Sequence, residues 1–187
     1  MENLYTPNCI RTFTGQYVNV FNPDINTINI EDIAHALSNQ CRFGGHLPKF
    51  YSVAQHSLMC CQNVDDEYKL QALLHDASEA YLLDIPSPIK QGLSNYKDIE
   101  NNLMICIAEK FGFKYPLDAV VKKIDQDMLQ FEWDHLMLEK PLVYFDYDNL
   151  KMIFPNINNI DWFVYNKSKK IKNEFLRTFE ELTNFYK

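Results

Sequence analysis

The chain has 187 residues and a formal net charge of −7, a balance that excludes broad nucleic-acid binding, which needs a basic face. Hydrophobic residues make up 47% and aromatic residues 14%, too much for a disordered chain and enough for a single domain over 1–187 with one sizeable core. No stretch approaches the roughly 18 apolar residues of a membrane span, the N-terminus MENLYTPNCIRTF carries no secretory pattern, and five cysteines without CxxC spacing read as reduced, mostly buried thiols of a cytoplasmic protein.

IRTF and YVNVF flank a TGQ turn and predict a small hairpin. Asn29 is placed to cap a helix over IEDIAHALSNQC, with Glu31 and Asp32 in its first turn. RFGGHLPKF reads as a loop, broken by Gly44, Gly45 and Pro48. Ser52 then caps a helix through VAQHSLMCCQN, and Asp65 and Asp66 open another that runs to about Leu83, where DIPSP stops it. Ser94 is expected to begin a helix ending near Gly112, and Pro116 suits the first turn of the next, which carries VVKKIDQDMLQFEWDHLM. Residues 141–158 read as irregular or briefly extended, and the chain turns helical again over about 160–185, with Lys167, Lys169, Lys170 and Lys172 on its solvated side. The expected fold is an all-α bundle of five or six helices with a small N-terminal β-hairpin.

Ionisable groups stand where these helices should be apolar. His75 and Asp76 interrupt LLHDASEAYLL, and helical spacing puts Glu79 on the face of both. A charged trio in apolar surroundings costs several kcal/mol unless compensated, and a bound cation is a common compensation. Further donors sit in facing helices: His56 among Val53, Ala54, Leu58 and Met59, and Asp125 after Val120, Val121 and Ile124, with Glu132 seven residues on along the same face. Two imidazoles and two carboxylates suit a borderline divalent ion without choosing among Mn, Fe, Co, Ni and Zn. Asp127 competes with Asp125 for the ligand role. His35 reads as a helix-face histidine or a donor behind the ligands, His46 as a pocket-edge or phosphate contact, and His135 as packing beside Trp133, Leu136 and Met137. Trp162, Phe163 and Tyr165 read as core or subunit contact. Nothing matches a P-loop or a Rossmann glycine fingerprint.

The blocks INIEDIAHALSNQCRFGGH, FYSVAQHS, LLHDASEAYLLDIPSPIK and VKKIDQDMLQFE, in that order over residues 12–136, resemble the HD-domain metal-dependent phosphohydrolases. The similarity is to the branch of bacterial 5′-deoxynucleotidases and phage dATP triphosphohydrolases, and it covers a motif-bearing core of about 12–140. The resemblance implies an HD-domain helical bundle with His56, His75, Asp76 and Asp125 as ligands of a divalent metal ion (Mn, Co, Fe, Ni, Zn or Mg). It also implies that Glu79 sits beside the attacking water and that Asp84 holds or accepts a proton near the reacting phosphate. Arg42 would bind phosphate, Phe43 would lie against the sugar and disfavour a 2′-hydroxyl, and Lys90 would be a further phosphate contact. Only 19 positions separate His56 from His75, fewer than the resemblance leads one to expect, so His46 is the alternative first ligand.

The function so implied is hydrolysis of a deoxynucleotide in the cytoplasm of a bacterium or a phage-infected host. Release of triphosphate from dATP is the first expectation, release of phosphate from a deoxynucleoside monophosphate the second, and guanosine tetraphosphate hydrolysis a more distant option. A nucleotide-binding regulator without turnover is the alternative from another class. The resemblance also implies a homo-oligomer, a dimer or hexamer, with neither a nucleic-acid polymer nor a membrane as partner.

Overall fold

The computed structural model describes residues 7–138 and 168–184. These are mostly helical, with a two-stranded antiparallel hairpin at the N-terminal end. Strands β1 (Cys9–Arg11) and β2 (Tyr17–Asn19) pair with Cys9 opposite Asn19. The turn between them is tied down by Thr14, whose backbone N–H and hydroxyl donate to the buried Asp32 carboxylate at 2.6 and 2.8 Å.

Helix α1 (Ile30–Asn39) starts where Asn29 accepts from the Glu31 N–H at 2.8 Å, as expected of that cap. It buries Ile33, Ala34 and Leu37. Helix α2 (Val53–Gln62) opens on a complete capping box: the Ser52 hydroxyl accepts from the Gln55 N–H and the Gln55 side chain accepts from the Ser52 N–H. Every residue from 53 to 61 is buried, so α2 runs through the core and carries His56 with it.

The single helix expected to run from Asp65 to Leu83 is instead broken. A short 3-10 turn (Asp66–Tyr68) leads into α3 (Lys69–Leu74), a turn over 75–78 follows, and α4 (Glu79–Leu82) resumes. Through the break the backbone bonds span three residues instead of four: Ala77 to Leu74, Glu79 to Asp76 and Tyr81 to Ser78, each at 3.0 Å. The His75 ring donates from Nδ1 to the Ala72 carbonyl at 2.8 Å, taking an acceptor the α-helical ladder would have used. A chain with three residues per turn eclipses positions i and i+3. Asp76 and Glu79 therefore stand together while His75 is turned inward.

Helix α5 (Ser87–Lys90) follows DIPSP, which stops α4 as expected but starts a further turn with Pro88 in its first positions. Helix α6 (Tyr96–Phe111) begins two residues after Ser94, behind Asn95, and ends at Gly112, whose φ of 72° lets its N–H reach the Ala108 carbonyl at 2.9 Å. Helix α7 (Ala119–Glu132) starts after Pro116, not on it. Gln71 holds Asp118 extended, donating to its carboxylate at 2.8 Å and accepting from its N–H at 3.0 Å, so the helix begins one residue later. A π-helical turn (Trp133–Met137) ends it.

Helix α8 (Ser168–Asn184) packs Ile171 and Phe175, both fully buried, into the core against α1, α2 and α3. Of the basic cluster, Lys172 donates to Glu31 at 2.8 Å and lies over the Phe13 ring. The expectations for 141–158 and for Trp162, Phe163, Tyr165 and Lys167 fall outside the described residues.

Candidate functional site

Four side chains from three segments meet between α2, the 75–78 turn and α7. His56 Nε2 lies 3.2 Å from His75 Nε2 and 3.1 Å from Asp125 Oδ1. Asp76 Oδ2 is 3.2 Å from His75 Nε2 and 3.7 Å from His56 Nε2, and His75 Nε2 is 3.7 Å from Asp125 Oδ1. The other nitrogen of each ring is already committed. His56 Nδ1 donates to Glu132 Oε1 at 2.7 Å and His75 Nδ1 to the Ala72 carbonyl. Both acceptors lack a hydrogen to share, so both Nδ1 atoms carry a proton, and in the neutral rings both Nε2 atoms face the cluster as bare lone pairs. With the rings neutral, four acceptors converge, an arrangement held either by protons on the imidazoles or by a metal ion. A divalent ion bonded at about 2.0–2.2 Å sets neighbouring ligand atoms about 3.0–3.5 Å apart. The donor set and its spacing fit such an ion.

Cys60, one turn along α2, brings Sγ within 3.6 Å of His56 Nε2, and His56, Cys60 and His75 form a buried group that could hold a metal ion. Cys60 is not among the nitrogen and oxygen donors that the sequence singles out. The signal was present as a histidine and a cysteine four apart on one helix.

Electrostatics follow from the convergence. Burial and Arg42 both disfavour a charged His56, yet Cys60, Glu132 and Asp125 outweigh them and hold it well above the ordinary histidine value. Burial opposes charge on His75 as well, and Asp76 and Asp125 overcome it. Burial pushes the Asp76 carboxyl up, but the histidines pull it down to about 2, and they hold Asp125 below the usual carboxylate range too. A histidine raised by folding contributes stability that is fully present below its unfolded value, about 6.5, and lost as pH rises through the folded value. The chelated protein is therefore expected to lose melting temperature as pH is raised from 6 to 9. Added Mn2+ should restore it, with a larger shift at pH 8 than at pH 6, because the ion competes with the imidazole protons. Differential scanning calorimetry with and without chelator checks this. A metal-induced shift that does not grow with pH would contradict it.

Behind the cluster lies a buried network that the sequence reading noticed only in part. Glu132, fully buried, accepts from Tyr51 Oη at 2.9 Å and from Arg42 Nε at 3.1 Å in addition to His56. Burial raises its carboxyl, but Arg42 and His56 win and keep it ionised. Glu132 had been placed on the ligand face of α7 without a role; its role is to fix the His56 ring. Tyr51 gave no signal, because an aromatic beside a cap residue reads as packing. Glu132→Ala would strand three buried donors. A loss of about 3–5 kcal/mol in urea unfolding is expected, and a loss below about 1 kcal/mol would show the network to be dispensable.

In front of the cluster opens a cleft of about 790 Å³. Eight of the predicted site residues line it: Arg42, Phe43, His46, Asp76, Glu79, Asp84, Lys90 and Asp125. His56 and His75 lie behind that lining. Glu79 is buried, with Oε1 accepting from Lys90 Nζ at 3.0 Å and Oε2 without a hydrogen-bond partner among the described residues. Burial, then Asp76 and Asp84, push its carboxyl well above the ordinary value against the pull of Lys90. Burial also raises Asp84. Lys90 bridges Glu79 and Glu100, both at 3.0 Å, so its charge is shared before any ligand arrives. Arg42 likewise has protein partners, Glu132 and, at 3.5 Å, Asp76.

Two backbone positions aim these groups. Phe43 adopts left-handed geometry (φ 55°, ψ 31°) ahead of Gly44 and Gly45, which share positive φ. Leu83, at φ 69° and ψ 156°, occupies a region normally restricted to glycine and turns the chain so that Asp84 faces the cleft. Such conformations cost of order 1–3 kcal/mol each and cluster at functional sites.

The other candidates separate cleanly. His46 lines the exposed cleft rim, outside the cluster that His56 joins. His35 stacks on Phe13 with ring centres 3.9 Å apart, away from the site. Asp127 pairs with Lys123 on the surface, which leaves the inward position to Asp125. His135 packs against Phe131, as expected. All five cysteines are free, with Cys60, Cys61 and Cys106 buried. No helix among the described residues is long and apolar enough to cross a membrane.

No family model matches the chain. It is similar to an uncharacterized protein of Rhodobacter capsulatus, with 32% identity over 123 residues, 60% of this chain and 63% of that protein. It is 46% identical over 132 residues to the uncharacterized protein YfdR of Escherichia coli K12, a match covering 70% of this chain and 73% of YfdR. At that identity and coverage, the chain belongs to the family of YfdR.

Proposed function

We propose that this protein is a metal-dependent phosphohydrolase of deoxynucleotides, of the HD-domain type its sequence blocks resemble, with dATP as the first-choice substrate and triphosphate as product. One observation carries the reading. The side chains of His56, His75, Asp76 and Asp125 bring four candidate ligand atoms together at 3.1–3.7 Å beneath a cleft that also holds two cations and two carboxyls of raised pKa. The cleft volume, about 790 Å³, is within the range of small-ligand sites, roughly 300–1,000 Å³, and large enough for a whole nucleotide.

Those four residues would hold a divalent cation, which supplies Lewis acidity and charge neutralisation at a phosphoryl group. The chain's own groups do the rest. Arg42, planar and permanently charged, orients the phosphate chain, and Lys90, which lines the same cleft, adds a second cation. Glu79 Oε2, without a hydrogen-bond partner among the described residues, accepts the proton of the attacking water as its oxygen bonds to the α-phosphorus. Burial and the neighbouring Asp76 and Asp84 raise its pKa, which strengthens it as a base. As the bond from phosphorus to the 5′-oxygen breaks, Asp84, whose pKa is also raised, gives the leaving oxygen its proton. The products are deoxyadenosine and triphosphate, and the atoms balance with one water consumed.

A product assay tests this. Purified protein with Mn2+, Co2+ or Mg2+ is incubated with each dNTP and dNMP, and products are separated by anion exchange. Triphosphate from dATP supports the reading. Orthophosphate from dNMPs alone would replace it with a 5′-deoxynucleotidase, and no product from any of them would leave a binding protein. The sugar gives a second check. If Phe43 packs against C2′, a ribonucleotide forces a hydroxyl into an apolar contact at about 1–3 kcal/mol, so kcat/KM should favour dATP over ATP by roughly ten- to hundredfold. Phe43→Ala should narrow that gap, and equal values for the two substrates in the wild type would refute the contact.

A further inference from the structure

The cleft has two ends. Its charged end is made by Asp76, Asp125, Glu79 and Arg42. Its other wall is apolar and comes from α7 and the π-helical turn that ends it. Asp125, Leu129 and Trp133 are spaced four apart, line the same cleft and so form one stripe along this wall. Eight residues of helix rise about 12 Å, and helical side chains lean back toward the N-terminus, so the indole stands within one nucleotide's length of the ligand cluster. Trp133 is 45% exposed and Leu129 42%, so both keep apolar surface facing the cleft. Across from the indole, the Phe43 ring lies 6.2 Å away at a tilt of 47°. The π turn itself, closed by the Leu138 N–H on the Trp133 carbonyl at 3.0 Å, is a rare element that frequently marks functional sites.

We propose that Trp133, backed by Leu129, is the platform on which the nucleobase stacks, and that the site takes purine deoxynucleotides in preference to pyrimidine ones. The inference rests on the phosphohydrolase reading for which end holds the phosphates, and adds what the other end recognises. A flat apolar surface beside a pocket that holds Arg42, Lys90 and the proposed metal site matches a ligand with a flat aromatic ring at one end and anionic charge at the other. Stacking rewards ring area, which is why a purine gains more than a pyrimidine.

Two probes that undergo no hydrolysis of the proposed bond separate the ends: deoxyadenosine, which has a base and no phosphate, and tripolyphosphate, which has phosphates and no base. Each is titrated by calorimetry into metal-loaded wild type, Trp133→Ala and Trp133→Phe. Trp133→Ala should weaken deoxyadenosine about tenfold and leave tripolyphosphate within about twofold, and Trp133→Phe should recover most of the loss. Deoxycytidine should bind the wild type more weakly than deoxyadenosine. Unchanged deoxyadenosine binding in Trp133→Ala, or equal weakening of both probes, would overturn the platform. Tripolyphosphate failing to bind the wild type while deoxyadenosine binds through Trp133 would instead overturn the phosphohydrolase reading and leave the platform standing.

Discussion

Asp76→Ala should give a protein that folds cooperatively, retains no divalent metal after gel filtration and shows no turnover. Asp76 Oδ2 sits 3.2 and 3.7 Å from the two imidazole Nε2 atoms, so its removal takes away one of four converging donors and half of the carboxylate charge among them. Losing a hydrogen-bond partner behind a ligand costs about 10–100-fold in affinity, and losing a ligand itself should cost more. The fold should survive because the other partner of Asp76, Arg42, keeps its 3.1 Å bond to Glu132. Metal analysis by mass spectrometry decides it. Full occupancy and normal rates in Asp76→Ala would remove Asp76 from the ligand set.

Glu79→Gln should do the opposite to metal and the same to rate. The substitution keeps shape and leaves an amide oxygen for Lys90, but it removes the base. We expect metal content and substrate affinity near wild type, with kcat lower by about 10²–10⁴. Stability supplies an independent sign. A buried carboxyl whose pKa is raised on folding contributes stability below its unfolded value that is lost as pH rises through the folded one. At pH 8 the Gln variant should therefore unfold no earlier than wild type. A fall in metal content together with rate would make Glu79 a ligand, and an unchanged kcat would leave it a structural partner of Lys90.

Much of this architecture was legible in the sequence because it rests on local rules. Asn29 and Ser52 cap the helices they were expected to cap, and the hairpin forms around the TGQ turn, with strands shorter than expected and the first starting one residue earlier. The ligand candidates stood out because charge on an apolar helical face is costly. What was not legible depended on tertiary partners. The break at 75–78 arises from a ring-to-carbonyl bond that no propensity encodes, and it changes the reason Asp76 and Glu79 share a side from helical spacing to a three-residue turn. Gln71, 47 positions away, decides where α7 begins. Lys90 was read as a phosphate contact and is found bridging two carboxylates, since sequence shows a cation but not its neighbours. Tyr51 and Cys60 were passed over because each is an ordinary core residue until His56 is placed beside it.

The central claim is that His56, His75, Asp76 and Asp125 share one divalent ion. Crystals grown with Mn2+ and measured on either side of the manganese absorption edge test it directly. One anomalous peak is expected about 2.0–2.3 Å from His56 Nε2, His75 Nε2, Asp76 Oδ2 and Asp125 Oδ1. The contrary result is an anomalous map with no peak there and the four side chains hydrogen-bonded to one another through protonated imidazoles.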